Sequence, residues 1–73
     1  MTDDEFEVVA TLIGSREPAR TGAKLVMVSG WGPADAARKV GLVPQSISNT
    51  VRRIRTADEL ILVAYKPIQK RLT

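Results

Sequence analysis

The chain has 73 residues, a formal net charge of +3, and neither cysteine nor histidine. A chain of this length forms one small domain with a thin core, and without cysteine it has no disulfide or thiolate metal site. Without histidine it also lacks the commonest acid/base catalyst at neutral pH, so we expect no enzyme activity, no metal and no cofactor.

The charge is distributed unevenly. Residues 1–17 carry five acidic residues and one arginine, whereas residues 18–73 carry ten Lys or Arg and three acidic residues. A basic body indicates a polyanionic partner, most simply nucleic acid, although a merely solvated cationic surface fits the charge alone equally well. The acidic start is unlike a secretory signal, and the longest apolar run is too short to span a bilayer, so we expect a cytoplasmic protein without a membrane partner.

The first predicted element is a helix that begins at a capping box formed by Thr2 and Glu5 and stops at Gly14 and Ser15. Its acidic residues suit the positive end of the helix dipole and are expected to be solvated rather than catalytic. Helical spacing predicts four residues on its inner side: Phe6, Val9, Ala10 and Ile13.

Two further helices are predicted before residue 42. The first begins near Pro18 and runs through Val28, with Gly22 inside it, where glycine costs about 1 kcal/mol relative to alanine. "SGWG" then breaks the chain, and Trp31 is expected to pack on the core rather than on a sugar-phosphate strand. Pro33 opens a third, short helix that stops at Gly41, and its predicted inner residues are Ala36, Ala37 and Val40.

A fourth helix, predicted over residues 44–55, has one narrow apolar side. With Ile47 placed at zero and a step of about 100° per residue, Val51 falls near 40° and Ile54 near 340°. The opposite side carries amide, hydroxyl and guanidinium groups, without the Glu–Lys pairing of an ordinary solvated helix face. Gln45, Asn49 and Arg52 point directly away from the core, and Ser48 and Arg53 flank them.

This outward side has the chemistry of a base reader. Asn and Gln can make paired hydrogen bonds to adenine, arginine to guanine, and serine to either. Two helices joined by a tight turn at residues 41–43 match the helix-turn-helix plan, with a generic αα-hairpin as the alternative. Base contacts are predicted for Gln45, Ser48, Asn49 and Arg52. DNA-backbone contacts are predicted for Ser46, Arg53, Arg38, Lys39 and Arg55. Arg20 and Lys24 are further candidates for phosphate contact, although a solvated surface charge is the more expected role for each of the basic residues outside the recognition face taken alone.

The run "TGAKLVMVSGWGPADAARKVGLVPQSISNTVRRI" resembles the helix-turn-helix domain of the TrfB/KorA family of plasmid-encoded repressors. The glycine-leucine turn and the following "ISNTVRRI" carry the closest part, and the similarity covers roughly residues 2–55. The resemblance implies a helical domain that recognises a palindromic operator as a homodimer and blocks transcription of plasmid genes. Where the family tends to have Thr-Arg-Gly, this chain has Val43, Pro44 and Gln45, so Gln45 is expected to take over a base contact.

The C-terminal segment differs in character. Its apolar run, stopped by Pro67, favours a short strand that pairs with the same strand of a second copy, with a buried helical turn or a tail folded onto its own core as alternatives. The residues predicted for dimerisation are Leu60, Ile61, Leu62, Val63 and Tyr65. The ending "KPIQKRLT" is expected to be a basic, mobile tail.

The sequence therefore predicts a mainly α protein, a small helical bundle with a helix-turn-helix and a short C-terminal strand (or helix) for dimerisation. Residues 1–56 form the DNA-binding domain, and residues 57–73 form the dimerisation strand and basic tail. The predicted function is a homodimeric, sequence-specific transcriptional repressor that binds double-stranded DNA at a palindromic operator. The alternatives are a protein-interaction or assembly module, or a DNA-binding accessory such as an antitoxin or a replication or partition factor.

Overall fold

Four α-helices make up the described part of the chain. The computed structural model describes the backbone of residues 1–72 and the side chains of residues 1–64. The helices are α1 (Asp3–Leu12), α2 (Ala19–Met27), α3 (Pro33–Val40) and α4 (Pro44–Leu72). α4 packs against each of the other three helices, and α2 also contacts α1 and α3. The prediction of a mainly helical bundle is confirmed.

α1 begins as the sequence predicts. Thr2 Oγ1 accepts a hydrogen bond from the Glu5 N–H (3.2 Å), and Glu5 Oε1 accepts one from the Thr2 N–H (3.1 Å), so the capping box is present. The helix ends at Leu12, and Gly14 follows with a φ of +68°, a conformation that glycine adopts without strain. Three of the predicted inner residues are buried: Phe6, Val9 and Ala10.

Gly22 lies inside α2 and is buried against α3 and α4. A Cβ at this position would lie 3.2 Å from Val40 Cγ2 and closer still to Ile47 Cδ1. Ile47 is fully buried, so it could not move aside without disturbing its other core contacts. The close approach of the helices therefore explains a glycine that is unfavourable for helix formation by itself.

The core is thin and contains many small side chains. Its largest fully buried residues are Phe6, Ile47 and Ile54, which come from α1 and α4. Because a domain of this size buries little apolar surface, each large core side chain contributes a large share of its stability. Alanines fill the contacts between helices: Ala10, Ala23, Ala36 and Ala37.

Charged side chains join α1 to α2. Arg20 forms an ion pair with Glu7 (2.5 Å), and Lys24 forms ion pairs with Asp3 (2.6 Å) and Glu7 (3.0 Å). The hydrogen bonds from Lys24 and Arg20 hold the pKa of Glu7 below its usual value, and those to Asp3 and Glu7 raise the pKa of Lys24. The charges of Arg20 and Lys24 are thus compensated within the protein, which argues against both as candidates for phosphate contact.

We expect acid to weaken this connection between α1 and α2. Because the pKa of Glu7 is lower in the folded protein than in the unfolded chain, ionised Glu7 stabilises the fold above its usual pKa, and this contribution is lost as the pH falls through the lowered pKa. Glu7→Gln should therefore reduce stability at neutral pH and make it less sensitive to acid. Urea unfolding at a series of pH values measures both effects. Asp4→Asn is the matched control, since exposed Asp4 forms no ion pair among the described side chains; equal acid sensitivity in Glu7→Gln and the wild type would contradict the prediction.

The C-terminal segment is helical, so the predicted strand is wrong and the helical alternative is correct. α4 runs without a break from Pro44 to Leu72. It therefore passes through the predicted domain boundary, continues beyond Pro67 and includes most of the predicted tail; Thr73 lies outside the described residues. The run Leu60–Val63 contains β-branched residues that favour strands. It continues a helix that is already nucleated, however, and extending such a helix avoids the cost of forming the first turn.

The described residues contain neither a long apolar span nor a dense cluster of metal ligands. None of the helices there is both long enough and apolar enough to cross a membrane. The same residues contain no group of three or more acidic side chains placed to hold a metal ion.

Candidate nucleic-acid interface

α3 and α4 are joined by the predicted turn at residues 41–43. Gly41 has a φ of +78°, and its N–H donates to the carbonyl of Ala37. The Leu42 N–H donates to the same carbonyl (2.9 Å), which closes the turn tightly after α3. A positive φ strongly favours glycine, so the position of Gly41 is explained by the turn. Two packed helices linked in this way fit the helix-turn-helix plan and the generic αα-hairpin alike.

The inner side of α4 faces the core as the angular pattern predicts. Ile47, Val51 and Ile54 are all buried. Thr50 is also buried, and its hydroxyl donates to the carbonyl of Ser46 (3.0 Å). This residue was missed by the sequence analysis, although its angle of about 300° places it beside the apolar stripe. The inner side therefore fixes which residues of α4 face outward.

Three of the four residues predicted to contact bases are exposed on the outer side of α4: Gln45, Asn49 and Arg52. Gln45 Nε2 donates a hydrogen bond to Asn49 Oδ1 (3.0 Å), which holds the two amides together one turn apart. Ser48 is half-buried and lies at the edge of this side. The structure thus brings the two amides together, whereas Ser48 lines a cleft that Arg52 also borders.

This cleft has a volume of about 340 Å³ and lies between the start of α3 and the middle of α4. Arg52, Arg55 and Ser48 line it together with Glu59. Two guanidinium groups beside a hydroxyl form a surface suited to a phosphate oxygen. No pattern along the chain indicated that the start of α3 would border these residues. The complete lining is Pro33, Ser48, Val51, Arg52, Arg55, Thr56 and Glu59.

The residues predicted to contact the DNA backbone are divided among three places. Arg53 and Arg55 are exposed on α4, and Ser46 is half-buried in its first turn. Arg38 and Lys39 lie near the end of α3, where Arg38 contacts Asp35 (3.4 Å). α3 therefore carries its cations on a surface separate from the cleft described above.

Trp31 borders that separate surface. Its side chain is 40% exposed, so the expectation that it packs on the core is wrong. It lies between two exposed glycines and lines a shallow depression together with Asp35, Arg38 and Lys39. The core has room for few aromatic side chains because alanines bring the helices close together, and among the described side chains Phe6 is the aromatic residue buried there.

The charge of this part of the chain is strongly positive. Residues 36–57 contain five Lys or Arg and no acidic residue. Among the side chains that the structure describes, four of the five form no ion pair: Lys39, Arg52, Arg53 and Arg55. Unbalanced positive charge on one segment attracts the phosphates of nucleic acids and contributes affinity without sequence preference.

The residues predicted for dimerisation lie along the far part of α4. Leu60, Leu62 and Val63 are 65%, 55% and 66% exposed, whereas Ile61 packs against the core. Tyr65 lies outside the residues whose side chains are described. A groove of about 360 Å³ runs beside Leu60, and it is lined by Ile13, Arg52, Arg53, Thr56, Ala57 and Leu60. Ile13 and Ala57 had not been assigned to this surface from the sequence.

Comparison with known proteins gives no relative for this chain. No family model matches it, and no curated protein and no solved structure matches it significantly. What the protein binds is therefore inferred from the side chains that it exposes.

Proposed function

We propose that this protein is a sequence-specific DNA-binding transcriptional repressor that acts as a homodimer on a palindromic operator. The observation that carries the proposal is the outer side of α4, where exposed amide and guanidinium groups project from a helix whose other side is locked in the core. Side chains of these types recognise base edges in the major groove, and a helix fits that groove. The resemblance of residues 2–55 to the TrfB/KorA family supports the same function.

α4 would read DNA with its first three turns. Gln45, Asn49 and Arg52 lie on one side of residues 44–55, a stretch about 18 Å long, which matches the part of a recognition helix that enters the groove. Arg53 and Arg55 flank these three residues, at about 240° and 80° around the helix when Ile47 is placed at zero. In these positions they face the phosphates of the two strands that border the groove. Lys39 and Arg38 would add phosphate contacts outside the groove.

The far part of α4 is the proposed site of dimerisation. Leu60 and Val63 are three residues apart and share one side of the helix, and that side continues into the groove beside Ile13 and Ala57. A second copy that covered this side would bury apolar surface that water otherwise contacts, which a domain with a thin core needs. In a dimer with two-fold symmetry, each of the two copies of α4 would meet one half of a palindrome, so one recognition helix in each chain is sufficient.

A protein-interaction or assembly module is the second candidate. It is favoured by the exposed apolar residues, which include Val8 and Leu12 on α1 as well as those at the far part of α4. A module of this kind would be expected to have an aromatic and apolar contact surface, whereas the outer side of residues 44–55 is polar and cationic. Use of the same DNA-binding surface in an antitoxin or in plasmid replication or partition is a variant of the first proposal.

Selection from random duplex DNA tests the proposed function. The purified protein would be mixed with a pool of random sequences at about physiological salt, and the retained DNA would be sequenced. Recovery of a palindromic motif supports specific binding by a dimer. Binding without a motif that disappears as the salt concentration rises would leave charge attraction alone and favour the interaction module.

Replacing Leu60 and Val63 together with glutamate should dissociate the dimer, since burying two carboxylates at an apolar contact is strongly unfavourable. Sedimentation velocity at several protein concentrations measures the change. Leu62→Glu is the matched control. Leu62 was predicted for dimerisation as part of a strand, but on the helix it lies about 200° around from Leu60 and about 100° from Val63, outside the proposed contact. A dimer that withstands the double substitution but not Leu62→Glu would place the contact on another side of α4.

A further inference from the structure

The hydrogen bond between Gln45 and Asn49 joins two residues of the proposed reading surface. The residues are one turn apart near the start of α4, both are exposed, and the bond runs from Gln45 Nε2 to Asn49 Oδ1 over 3.0 Å. Residues four apart on a helix are neighbours, so the pair is held by the backbone as well as by the bond. The two amides therefore meet a ligand as one preformed group.

The bond determines what this group offers outward. It uses one hydrogen of Gln45 Nε2 and one lone pair of Asn49 Oδ1. Gln45 Oε1 remains as an acceptor and Asn49 Nδ2 remains as a donor, and neither has another partner among the described residues. Exchanging oxygen and nitrogen in both amides gives the same combination with the roles of the two residues reversed. Gln45 Nε2 also keeps a second hydrogen and Asn49 Oδ1 a second lone pair, but Gln45 Oε1 and Asn49 Nδ2 are the acceptor and the donor that the bond leaves wholly free.

We infer that Gln45 and Asn49 act together as one unit that reads a single adenine–thymine base pair in the major groove. This inference rests on the proposed function and names the base that the site prefers. Adenine presents an acceptor at N7 and a donor at N6, which is the complement of the donor and acceptor of the amide pair. Each residue supplies one of the two hydrogen bonds.

The other bases fit this unit less well. Guanine presents two acceptors, N7 and O6, so one of them would face the oxygen of Gln45. Cytosine offers one donor, and thymine offers one acceptor beside a methyl group, so each leaves an amide group of the pair without a partner. An unpaired polar group at a contact that excludes water weakens binding. The amide pair therefore distinguishes adenine in two ways. It gains two hydrogen bonds at adenine, and its binding is weakened at the other bases because a polar group there is left unpaired.

A double-mutant cycle on the selected operator tests this inference. Gln45→Ala, Asn49→Ala and the double variant would be titrated against the operator and against copies with each adenine replaced by 7-deazaadenine, which lacks the N7 acceptor. At one adenine in each half-site, we expect the replacement to weaken wild-type binding about tenfold and to leave the variants unaffected. Each single variant should lose about tenfold on the intact operator, and the double variant should lose little more.

The possible results separate this inference from the proposed function. Losses that add fully, or that map to two different base pairs, would show that the residues read separately and would overturn the inference while keeping a DNA-binding repressor. An unchanged preference in both variants would overturn it too. Failure to select any motif would instead overturn the proposed function. Arg52→Ala is the matched control, since it should weaken binding to the operator without changing the preference at the adenine read by the pair. Thermal unfolding would verify that the variants remain folded, as expected for exposed positions.

Discussion

Ile54→Ala should leave a large fraction of the protein unfolded in water at room temperature. Ile54 is fully buried on α4 and packs in the core that holds the four helices together. Truncating a buried isoleucine to alanine costs about 2–5 kcal/mol, because apolar surface loses its packing partners and a cavity remains. A core of this size rarely supplies more than about 3–5 kcal/mol of net stability, so the loss is comparable with the whole. Urea unfolding followed by the helical circular dichroism signal measures the change.

Leu12→Ala is the matched control for this prediction. It removes the same number of side-chain atoms from a residue that is mostly exposed on α1. Substitutions at such positions usually change stability by less than about 0.5 kcal/mol. Similar losses in the two variants would show that Ile54 is no more important for packing than a surface leucine, and the described core would then be incorrect.

Replacing both Arg53 and Arg55 with glutamine should weaken binding to every DNA sequence. Both residues are exposed on the flanks of the outer side of α4, and neither forms an ion pair among the described side chains. If each arginine binds one phosphate, the slope of log affinity against log salt should become shallower by about 0.9 for each arginine replaced. Fluorescence anisotropy with labelled operator and with unrelated duplex DNA, repeated at several salt concentrations, measures both quantities. Glutamine keeps the helix-forming tendency of arginine, so the fold should persist.

Arg16→Gln provides the comparison for charge alone. Arg16 is exposed in the segment between α1 and α2, outside the proposed interface. Its loss should leave the affinity and the salt slope nearly unchanged. If Arg16→Gln and the single variant Arg53→Gln weakened binding equally, net charge rather than position would govern the interaction, and the proposed placement of α4 against the groove would be wrong.

The order of helices and the turn between α3 and α4 could be predicted because strong local signals mark them. Thr2, Pro18, Pro33 and Pro44 lie at or next to helix starts, and the left-handed conformation of Gly41 follows from its place after α3. The spacing of Ile47, Val51 and Ile54 predicted which side of α4 would be buried. Such signals act over a few residues and do not depend on the rest of the fold.

The incorrect predictions concern choices that depend on the whole molecule. Leu60–Val63 has the composition of a strand, but its conformation follows from the helix that precedes it. Trp31 was expected in the core because it is large and apolar, whereas it is exposed and small alanines occupy the contacts between the helices. Burial depends on the space between elements, and a residue type alone does not reveal that space.

The sequence predicted which side of α4 carries the candidate site, but it did not predict how the side chains of the site contact one another. The angles of Gln45, Asn49 and Arg52 indicated that they point away from the core, and all three are exposed. The hydrogen bond between the two amides and the cleft that holds Ser48 depend on side-chain conformations and on where α3 begins relative to α4. These relations join residues across elements, so the pattern along one helix could not supply them.

The unbroken course of α4 has a geometric consequence for a symmetrical pair. Asn49, Thr56 and Val63 are spaced by seven residues, so they stay within about 40° of one another while spanning about 21 Å of the helix axis. α4 therefore presents polar groups near its start and apolar groups farther along on the same side. If two copies of α4 touched through their apolar stretches, their polar stretches would face each other across the symmetry axis. The duplex would then lie between the two polar stretches. The angle at which the two α4 helices cross would fix the separation of the two half-sites.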